Sequence, residues 1–236
     1  MQRYFAKDIK EDKPILYDSD IRHITKVMRL VNGDRIEIVY NKKVYHCEIK
    51  NIMPLDYIIE CVSNEDDNTI GLTVAVGLVQ EQKMDLILQK LTELGVDTII
   101  PLKTERSIVK IDDARFTKKL ARWQMICKEA SEQSFRNVIP NITNIMTIDN
   151  LKEIDIKTKL VCSTKEKNNT INKYVHNLKE KDNIIFVIGP EGGLSPSEED
   201  KLNSFGYESI SLGSRILRVE TATIFVASII NYINMG

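Results

Sequence analysis

The segment Phe186-Val-Ile-Gly-Pro-Glu-Gly-Gly-Leu-Ser-Pro-Ser-Glu198 decides how this chain is interpreted. Its apolar part, Ile184 to Ile188, predicts a buried strand, and the glycines after it permit positive φ and close approach of a ligand to the backbone. A helix should follow, because Ser195 suits an N-cap, Pro196 suits the first helical position and Glu198 completes a capping box. Strand, glycine loop and capped helix together predict a ligand site.

A second loop near the C-terminus strengthens this prediction, since a glycine loop alone is equally consistent with a tight turn that binds nothing. Tyr207 to Leu212 predict another strand. The loop Gly213-Ser-Arg-Ile-Leu-Arg-Val-Glu-Thr221 and an apolar helix from about Ala222 to Ile233 follow it. This loop holds two arginines and a glutamate directly after a buried strand. Their charges need solvent or a partner, and a cleft offers both. We therefore expect the two loops to form one site.

The composition of the 236 residues predicts a globular cytoplasmic protein. Hydrophobic residues make up 42% and charged residues 28%, no apolar run is long enough to span a bilayer, and the first residues lack the apolar segment of a secretory signal. The four cysteines and three histidines are dispersed without metal-like spacing, so we expect no metal site and no Cys-His nucleophile.

The net charge of −1 argues against a protein that coats nucleic acid through bulk charge. The first thirty residues are nevertheless locally basic, and Arg22, Lys26 and Arg29 would share one face if that stretch is a helix. Two interpretations stay open for these charges, a solvated surface and a contact with a phosphate backbone.

The first part of the chain predicts a small β-rich module. Its alternating segments are Arg35 to Tyr40, Val44 to Ile49 and Asp56 to Cys61. Asn41-Lys42 is a plausible hairpin turn, and the polar run Ser63 to Thr69 is the best linker candidate. This places a first domain at residues 1–68 and a second at 69–236.

Strands and helices alternate after the linker, which predicts an α/β architecture with a mostly parallel sheet and helices on both faces. The further strands are Leu72 to Val79, Val96 to Leu102 and Leu160 to Ser163; the helices are Met84 to Leu94, ended by Gly95, Phe116 to Ala130 after Asp112-Asp113, and Ile171 to Leu178. Ligands bind at the carboxyl ends of such strands, so the loops after the last three strands should converge. The sequence has no early G-x-G-x-x-G fingerprint and no Walker A motif.

Two segments, Gly189-Pro-Glu-Gly-Gly-Leu-Ser195 and Leu212-Gly-Ser-Arg-Ile-Leu-Arg-Val-Glu-Thr221, resemble the signature of the RsmE family. These bacterial methyltransferases act on N3 of a uridine in 16S ribosomal RNA. Weaker likeness extends over nearly the whole chain, at Arg3 to Phe5, His23 to Leu30, Lys90 to Gly95, Glu105 to Ser107 and Glu129 to Arg136. Val219 stands where many relatives have a threonine, which puts any role of a hydroxyl there in doubt.

The resemblance implies a fold, a cofactor and partners. It implies the SPOUT class, with a C-terminal trefoil knot and an N-terminal PUA-like β-barrel, although general fold rules disfavour threaded chains. It also implies a homodimer, S-adenosylmethionine (SAM) as cofactor, and 16S ribosomal RNA or the small ribosomal subunit as substrate.

The resemblance further assigns roles to residues. The cofactor would contact Ser163, Ile188, Gly189, Glu191, Gly192, Gly193, Leu212, Gly213, Ile216, Leu217, Arg218, Thr221 and Ala222. The catalytic candidates are Arg3, Glu191, Arg218 and Glu220, because uridine N3 must lose a proton before it attacks a methyl group. Predicted RNA contacts are Arg3, Arg22, Lys26, Arg29, Lys83, Lys90 and Arg136.

The sequence does not show which of the two glutamates, Glu191 or Glu220, is the base. Each of them could instead accept backbone N–H bonds that organise its loop. Two other functions stay open. One is a SPOUT-class methyltransferase acting on a tRNA base or ribose, and the other is a non-catalytic RNA-binding assembly protein.

Overall fold

The computed structural model describes residues 1–64, 71–109, 113–175 and 183–234. They form two compact units, Met1–Asp67 with Lys128–Ile139 and Asn68–Cys127 with Pro140–Gly236. The sequence assigned everything after residue 68 to one domain, whereas residues 128–139 pack with the first unit.

The first unit is built on a mostly antiparallel sheet. Its strands are β1 (Gln2–Phe5), β2 (Asp8–Lys10), β3 (Lys13–Ile15), β4 (Arg35–Tyr40), β5 (Lys43–Ile52) and β6 (Leu55–Asn64). The order β1-β4-β5-β6 has β1 parallel to β4, while β2 and β3 form a separate antiparallel pair. Asn41 and Lys42 have φ of 47° and 66°, as a type I′ hairpin requires, so the predicted turn is confirmed. Strand β6 includes Ser63 and Asn64, and the rest of the predicted linker lies outside the described residues.

The basic segment of this unit is not a continuous α-helix. Helix α1 (Asp18–Arg22) is followed by a π-helical turn, His23–Val27, and Arg29 has a left-handed φ of 52°. The condition under which Arg22, Lys26 and Arg29 would share one helical face is therefore not met, because the wider π-helical turn and the left-handed Arg29 interrupt the α-helical spacing. All three side chains are exposed.

Buried charges connect residues 128–139 to the rest of the first unit. Lys128 Nζ lies 2.9 Å from Asp20 Oδ1 and 2.6 Å from Glu132 Oε1. The backbone N–H of Phe5 donates to Glu132 over 2.9 Å. Breaking such a buried group of ions by removing one partner is strongly destabilising, so these contacts fix the segment firmly.

The second unit is a parallel sheet covered by helices. Its strands are β7 (Leu72–Gly77), β8 (Thr98–Lys103), β9 (Asn141–Ile142), β10 (Met146–Thr147), β11 (Thr158–Cys162), β12 (Ile184–Ile188) and β13 (Glu208–Ile210). The helices are α2 (Glu81–Glu93), α3 (Asp113–Gln133, which contributes to both units), α4 (Asn172–Val175), α5 (Pro196–Ser204) and α6 (Val219–Ile233), with a 3₁₀ helix at Ile148–Glu153. The predicted α/β architecture with a parallel sheet is confirmed.

The strand order is β10-β8-β7-β12-β11-β13, with β9 also paired to β8. Strand β12 lies between β7 and β11, and all five of its residues are buried. A central parallel strand has both faces covered, which explains why it is a continuous apolar run without alternation.

Several predicted boundaries are corrected. The last helix begins at Val219, three residues before the predicted start, and β13 is shorter than the predicted strand Tyr207 to Leu212. Gly95, with φ of 82°, ends α2 as predicted. Asp112 and Leu178 lie outside the described residues. None of the helices in the described ranges combines the length and apolar character needed to cross a bilayer.

Candidate active site

A cavity of about 990 Å³ lies in the second unit at the carboxyl ends of β11, β12 and β13. The loops after these three strands form most of its wall. Parallel strands end at the same edge of a sheet, so segments separated by up to some 50 residues in sequence meet there. The structure thus brings the three predicted loops to one cavity.

Most of the residues predicted from the sequence to bind the cofactor line this cavity. They are Ser163, Ile188, Gly189, Glu191, Gly192, Gly193, Leu212, Gly213, Ile216, Leu217, Arg218 and Ala222. Glu220 lines it as well, whereas Thr221 does not. Lys83, predicted as an RNA contact, lines it too, and sequence reasoning missed Arg106 and Glu199, which come from elements other than the three loop ends.

The glycines of the β12 loop have different structural roles. Of the three glycines that the sequence allows to have positive φ, only Gly193 has it, at 68°. A Cβ at Gly189 would lie 2.8 Å from Leu194 N. One at Gly77, at the end of β7, would lie 2.4 Å from Pro190 N. The loop is therefore packed against itself and against β7 at backbone distance, which only glycine allows.

Helix α5 begins at the predicted cap. Ser195 Oγ accepts a hydrogen bond from the backbone N–H of Glu198 over 3.2 Å, and Glu198 Oε2 accepts one from the N–H of Ser195 over 2.8 Å. The second carboxylate oxygen of Glu198 accepts a bond from the N–H of Glu105. The predicted capping box is confirmed, and it fixes the far end of the glycine loop.

The two candidate glutamates have different surroundings. Glu191 Oε1 forms an ion pair with Lys83 Nζ at 3.0 Å. Glu220, in the first turn of α6, has its Oε2 atom buried without a hydrogen-bond partner among the described residues. A buried acceptor without a donor is costly, and Glu220 is a residue of the cavity wall, so its carboxylate has unused hydrogen-bonding capacity beside the cavity.

Arg218 is the N-cap residue of α6, but its side chain makes no capping bond and is exposed at the cavity. The side chain of Ile216 is 83% exposed, so it does not enclose the cavity as an adenine wall would. Cys162 also lines the cavity, and burial raises the pKa of its thiol to about 12. Because the thiolate is the nucleophilic form, Cys162 is not a nucleophile near neutral pH.

Comparisons with known proteins agree with this geometry. The family model described as an RNA methyltransferase domain matches residues 66–231, and one described as an RNA methyltransferase PUA domain matches residues 16–60. The chain belongs to this RNA methyltransferase family.

Full-length relatives carry more specific names. The chain is 33% identical to ribosomal RNA small subunit methyltransferase E of Bacillus subtilis, over 98% of this chain and 96% of the relative. It is 32% identical to the protein of the same name from Mesomycoplasma hyopneumoniae, over 96% and 97%. A crystal structure of such an enzyme from Neisseria gonorrhoeae bound to S-adenosyl methionine aligns with a TM-score of 0.84 at 29% identity, over 97% and 95% of the two chains.

Other predicted residues of this RNA methyltransferase lie away from the cavity wall. Arg3 is 5% exposed, pairs with Glu37 at 2.8 Å and donates to the carbonyl of Phe135, all within the first unit. Arg136 is 6% exposed in the same unit. Lys90 of α2 pairs with Glu93 at 2.8 Å. Among the described residues, no group of acidic, histidine and cysteine side chains has the arrangement of a metal site.

Proposed function

We propose that this chain is a SAM-dependent methyltransferase that methylates N3 of a specific uridine in 16S ribosomal RNA of the small ribosomal subunit. The observation that carries the proposal is the cavity of about 990 Å³ formed by three strand-end loops in a member of the RNA methyltransferase family. Relatives named for small-subunit ribosomal RNA support this substrate, and a relative bound to S-adenosyl methionine supports this cofactor.

The residues of the cavity fit SAM. Gly193 leaves its backbone open to close approach, and Ile188, Leu212 and Leu217 offer apolar surface of the kind that an adenine ring covers. When bound, SAM supplies an electrophilic methyl group on a sulfonium centre. The protein's work is to hold acceptor and methyl carbon at attack distance in a cavity that limits water. We exclude Thr221 from the binding set because it does not line the cavity.

We propose that Glu220 accepts the N3 proton of the uridine. The N–H of uracil N3 is a donor, and the buried oxygen of Glu220 is an acceptor without a partner among the described residues. Glu191 is the weaker candidate, since its carboxylate is already paired with Lys83. Removal of the proton leaves negative charge on the uracil ring, and only that form is a good nucleophile.

We propose that Arg218 stabilises this developing charge or binds the phosphate next to the target nucleotide. Its guanidinium is exposed at the cavity, two residues before Glu220, and a guanidinium donates to oxyanions in a charge-assisted manner. Arg3 is not included in catalysis, because its buried side chain is already engaged with Glu37 and Phe135.

Recognition of the RNA is assigned to the first unit and to the rim of the cavity. N3 lies on the Watson–Crick edge, so the target base must be unpaired or extruded. Exposed Arg22, Lys26 and Arg29 are available to phosphates, and Lys83 and Lys90 are available in part, since each has a carboxylate partner. Arg136 is buried, and we propose that it stabilises the first unit instead of contacting RNA.

The trefoil knot is part of the proposal. Strand β12 lies between β7 and β11, the chain then moves to β13 on the far side of β11, and α6 returns to pack on β7, β12 and α2. Such a return path, together with the RsmE resemblance, supports a threaded C-terminal segment. The domain roles follow from the same resemblance, with a PUA-like RNA-binding domain in residues 1–68 and the methyltransferase domain in 69–236.

A homodimer working in the cytoplasm completes the proposal. Helix α6 carries Phe225, 38% exposed, and Tyr232, 77% exposed, about two turns apart on one side. A second copy of this chain would cover such apolar side chains, as the RsmE resemblance implies.

The test is a methylation assay with the purified protein, labelled SAM and small ribosomal subunits from cells that lack the gene. We expect label in 16S ribosomal RNA and 3-methyluridine after digestion to nucleosides, measured by mass spectrometry. Label in tRNA alone would favour the alternative RNA substrate. No binding of SAM at high micromolar concentration would favour a non-catalytic assembly protein.

A further inference from the structure

A short turn after β8 packs beside the glycine loop and belongs to none of the three cavity loops predicted from the sequence. Thr104 Oγ1 and Ser107 Oγ lie 2.9 Å apart, and the N–H of each of these residues donates to the other residue over 3.2 Å. Four residues thus close on themselves with three hydrogen bonds. These hydrogen bonds restrict the backbone of the turn, so a side chain on it has a defined position.

The turn is attached to the start of α5. The N–H of Glu105 donates to Glu198 Oε1 over 2.8 Å, and Ser197 Oγ donates to Glu105 Oε1 over 3.1 Å. Glu198 is also the capping-box residue, so one carboxylate connects the turn, the helix start and the end of the glycine loop. Arg106 therefore projects from a position that is fixed relative to that loop.

Arg106 contacts the glycine loop directly. Its Nη1 atom donates to the carbonyls of Gly192, over 3.1 Å, and Leu194, over 3.2 Å. These carbonyls flank Gly193, the one residue of the loop with positive φ. A Cβ at Gly192 would lie only 3.2 Å from Arg106 Cβ, so a side chain there would force one of the two residues to move.

We propose that Arg106 is a positioning residue that holds the β12 glycine loop in the conformation that receives SAM. Gly193 adopts a left-handed φ that its lack of a side chain permits, and the hydrogen bonds from Arg106 to the carbonyls on both sides of it, together with the bond from the Gly193 N–H to the Pro190 carbonyl, stabilise that conformation. A loop that is already ordered binds its ligand without the entropic cost of ordering. This inference rests on the proposed function and adds to it the element that prepares the cofactor loop.

Calorimetric titration of SAM into the purified variants tests the proposal. We expect Arg106→Ala to weaken SAM binding by about tenfold, as for loss of charge-assisted hydrogen bonds, and Arg106→Lys to restore part of it because the ammonium is still a donor. The KM for RNA should stay within about twofold, because Arg106 acts on the cofactor loop. The matched control is Arg122→Ala, which removes an exposed arginine paired with Glu81 and Asp85 outside the cavity wall, and it should leave SAM affinity unchanged.

A double-mutant cycle with Gly192→Ala gives a second measure. If Arg106 and Gly192 act through one contact, the two substitutions weaken SAM binding less together than the product of their separate effects. Should Arg106→Ala not fold, Arg106→Lys with and without Gly192→Ala gives the same comparison. Equal SAM affinity of the folded Arg106→Ala protein and the wild type, or fully independent effects in the cycle, would overturn the inference. Failure of the wild type to bind SAM would instead reject the proposed function.

Discussion

At the residue scale, the surroundings of the cavity distinguish two glutamates, Glu191 and Glu220, that sequence reasoning could not rank. In the sequence both Glu191 and Glu220 are predicted on loops after a buried strand, and residue type gives no reason to prefer one. The structure adds Lys83, which lies 108 residues from Glu191 in the chain and pairs with it. Local sequence patterns cannot show such a distant partner. The two cavity loops were therefore predictable, and the choice between the two glutamates as the base was not.

The first prediction concerns Glu220. We expect Glu220→Gln to lower kcat by about 100-fold or more, because the amide keeps the shape of the side chain but accepts no proton. SAM affinity, measured by calorimetry, should stay within about threefold. Glu191→Gln is the matched control and should reduce kcat much less. A larger loss of kcat in Glu191→Gln than in Glu220→Gln would reverse the assignment.

The second prediction concerns Gly189. We expect Gly189→Ala to weaken SAM binding by about tenfold, because the new methyl group would meet the backbone of Leu194 and Gly193 within 3 Å and a crowded site commonly costs about 1–3 kcal/mol. Gly206→Ala provides the control, since Gly206 has φ of 86° with open space around it and lies outside the cavity wall. It should lower the melting temperature while SAM affinity is retained. Unchanged SAM affinity in Gly189→Ala would show that the loop tolerates displacement.

At the element scale, segments governed by local rules were predicted well. Strand β12, the cap of α5 and the hairpin at Asn41-Lys42 depend on residues within a few positions of one another. The π-helical turn at His23–Val27 was missed because its sequence satisfies the α-helical spacing equally well. Strand β1 was missed because it pairs with β4, more than 30 residues away.

The third prediction concerns the cap of α5. We expect Ser195→Ala to lower the free energy of unfolding by about 1 kcal/mol, because the N–H of Glu198 loses its acceptor at the helix start. Urea unfolding followed by circular dichroism measures the change. Ser204→Ala, an exposed substitution at the other end of the same helix, should cost less than about 0.5 kcal/mol. Equal costs at both positions would contradict a specific capping role.

At the scale of the whole molecule, the fold class was predictable but the partition of the chain was not. Alternating strands and helices indicated the parallel sheet. Residues 128–139 join the first unit through the ion pair of Lys128 with Asp20 and the hydrogen bond from the Phe5 N–H to Glu132, each of which spans more than 100 residues of sequence. The order of strands in the sheet is likewise set by long-range packing, and only the family resemblance pointed to a knot.

The fourth prediction concerns assembly. We expect the wild-type protein to elute as a dimer and the double variant Phe225→Glu, Tyr232→Glu to elute as a monomer, since two carboxylates on each copy would face each other across a dry interface. Size-exclusion chromatography with light scattering measures the mass. Gln89→Glu, which adds a negative charge at an exposed position of α2, should remain dimeric. A monomeric wild type, or a dimeric double variant, would show that this face of α6 is not the dimer interface.

The central position of β12 has a consequence for how the cavity opens. Amide hydrogens of Ile184 to Ile188 are bonded into the middle of the sheet and enclosed on both faces, so they should be among the slowest in the chain to exchange with heavy water. The glycine loop thus follows directly from a strand, β12, that should not unfold locally. Residues 213–216 of the cavity wall are exposed, and we expect their amides to exchange faster than those of β12 and to slow down when the cavity is filled.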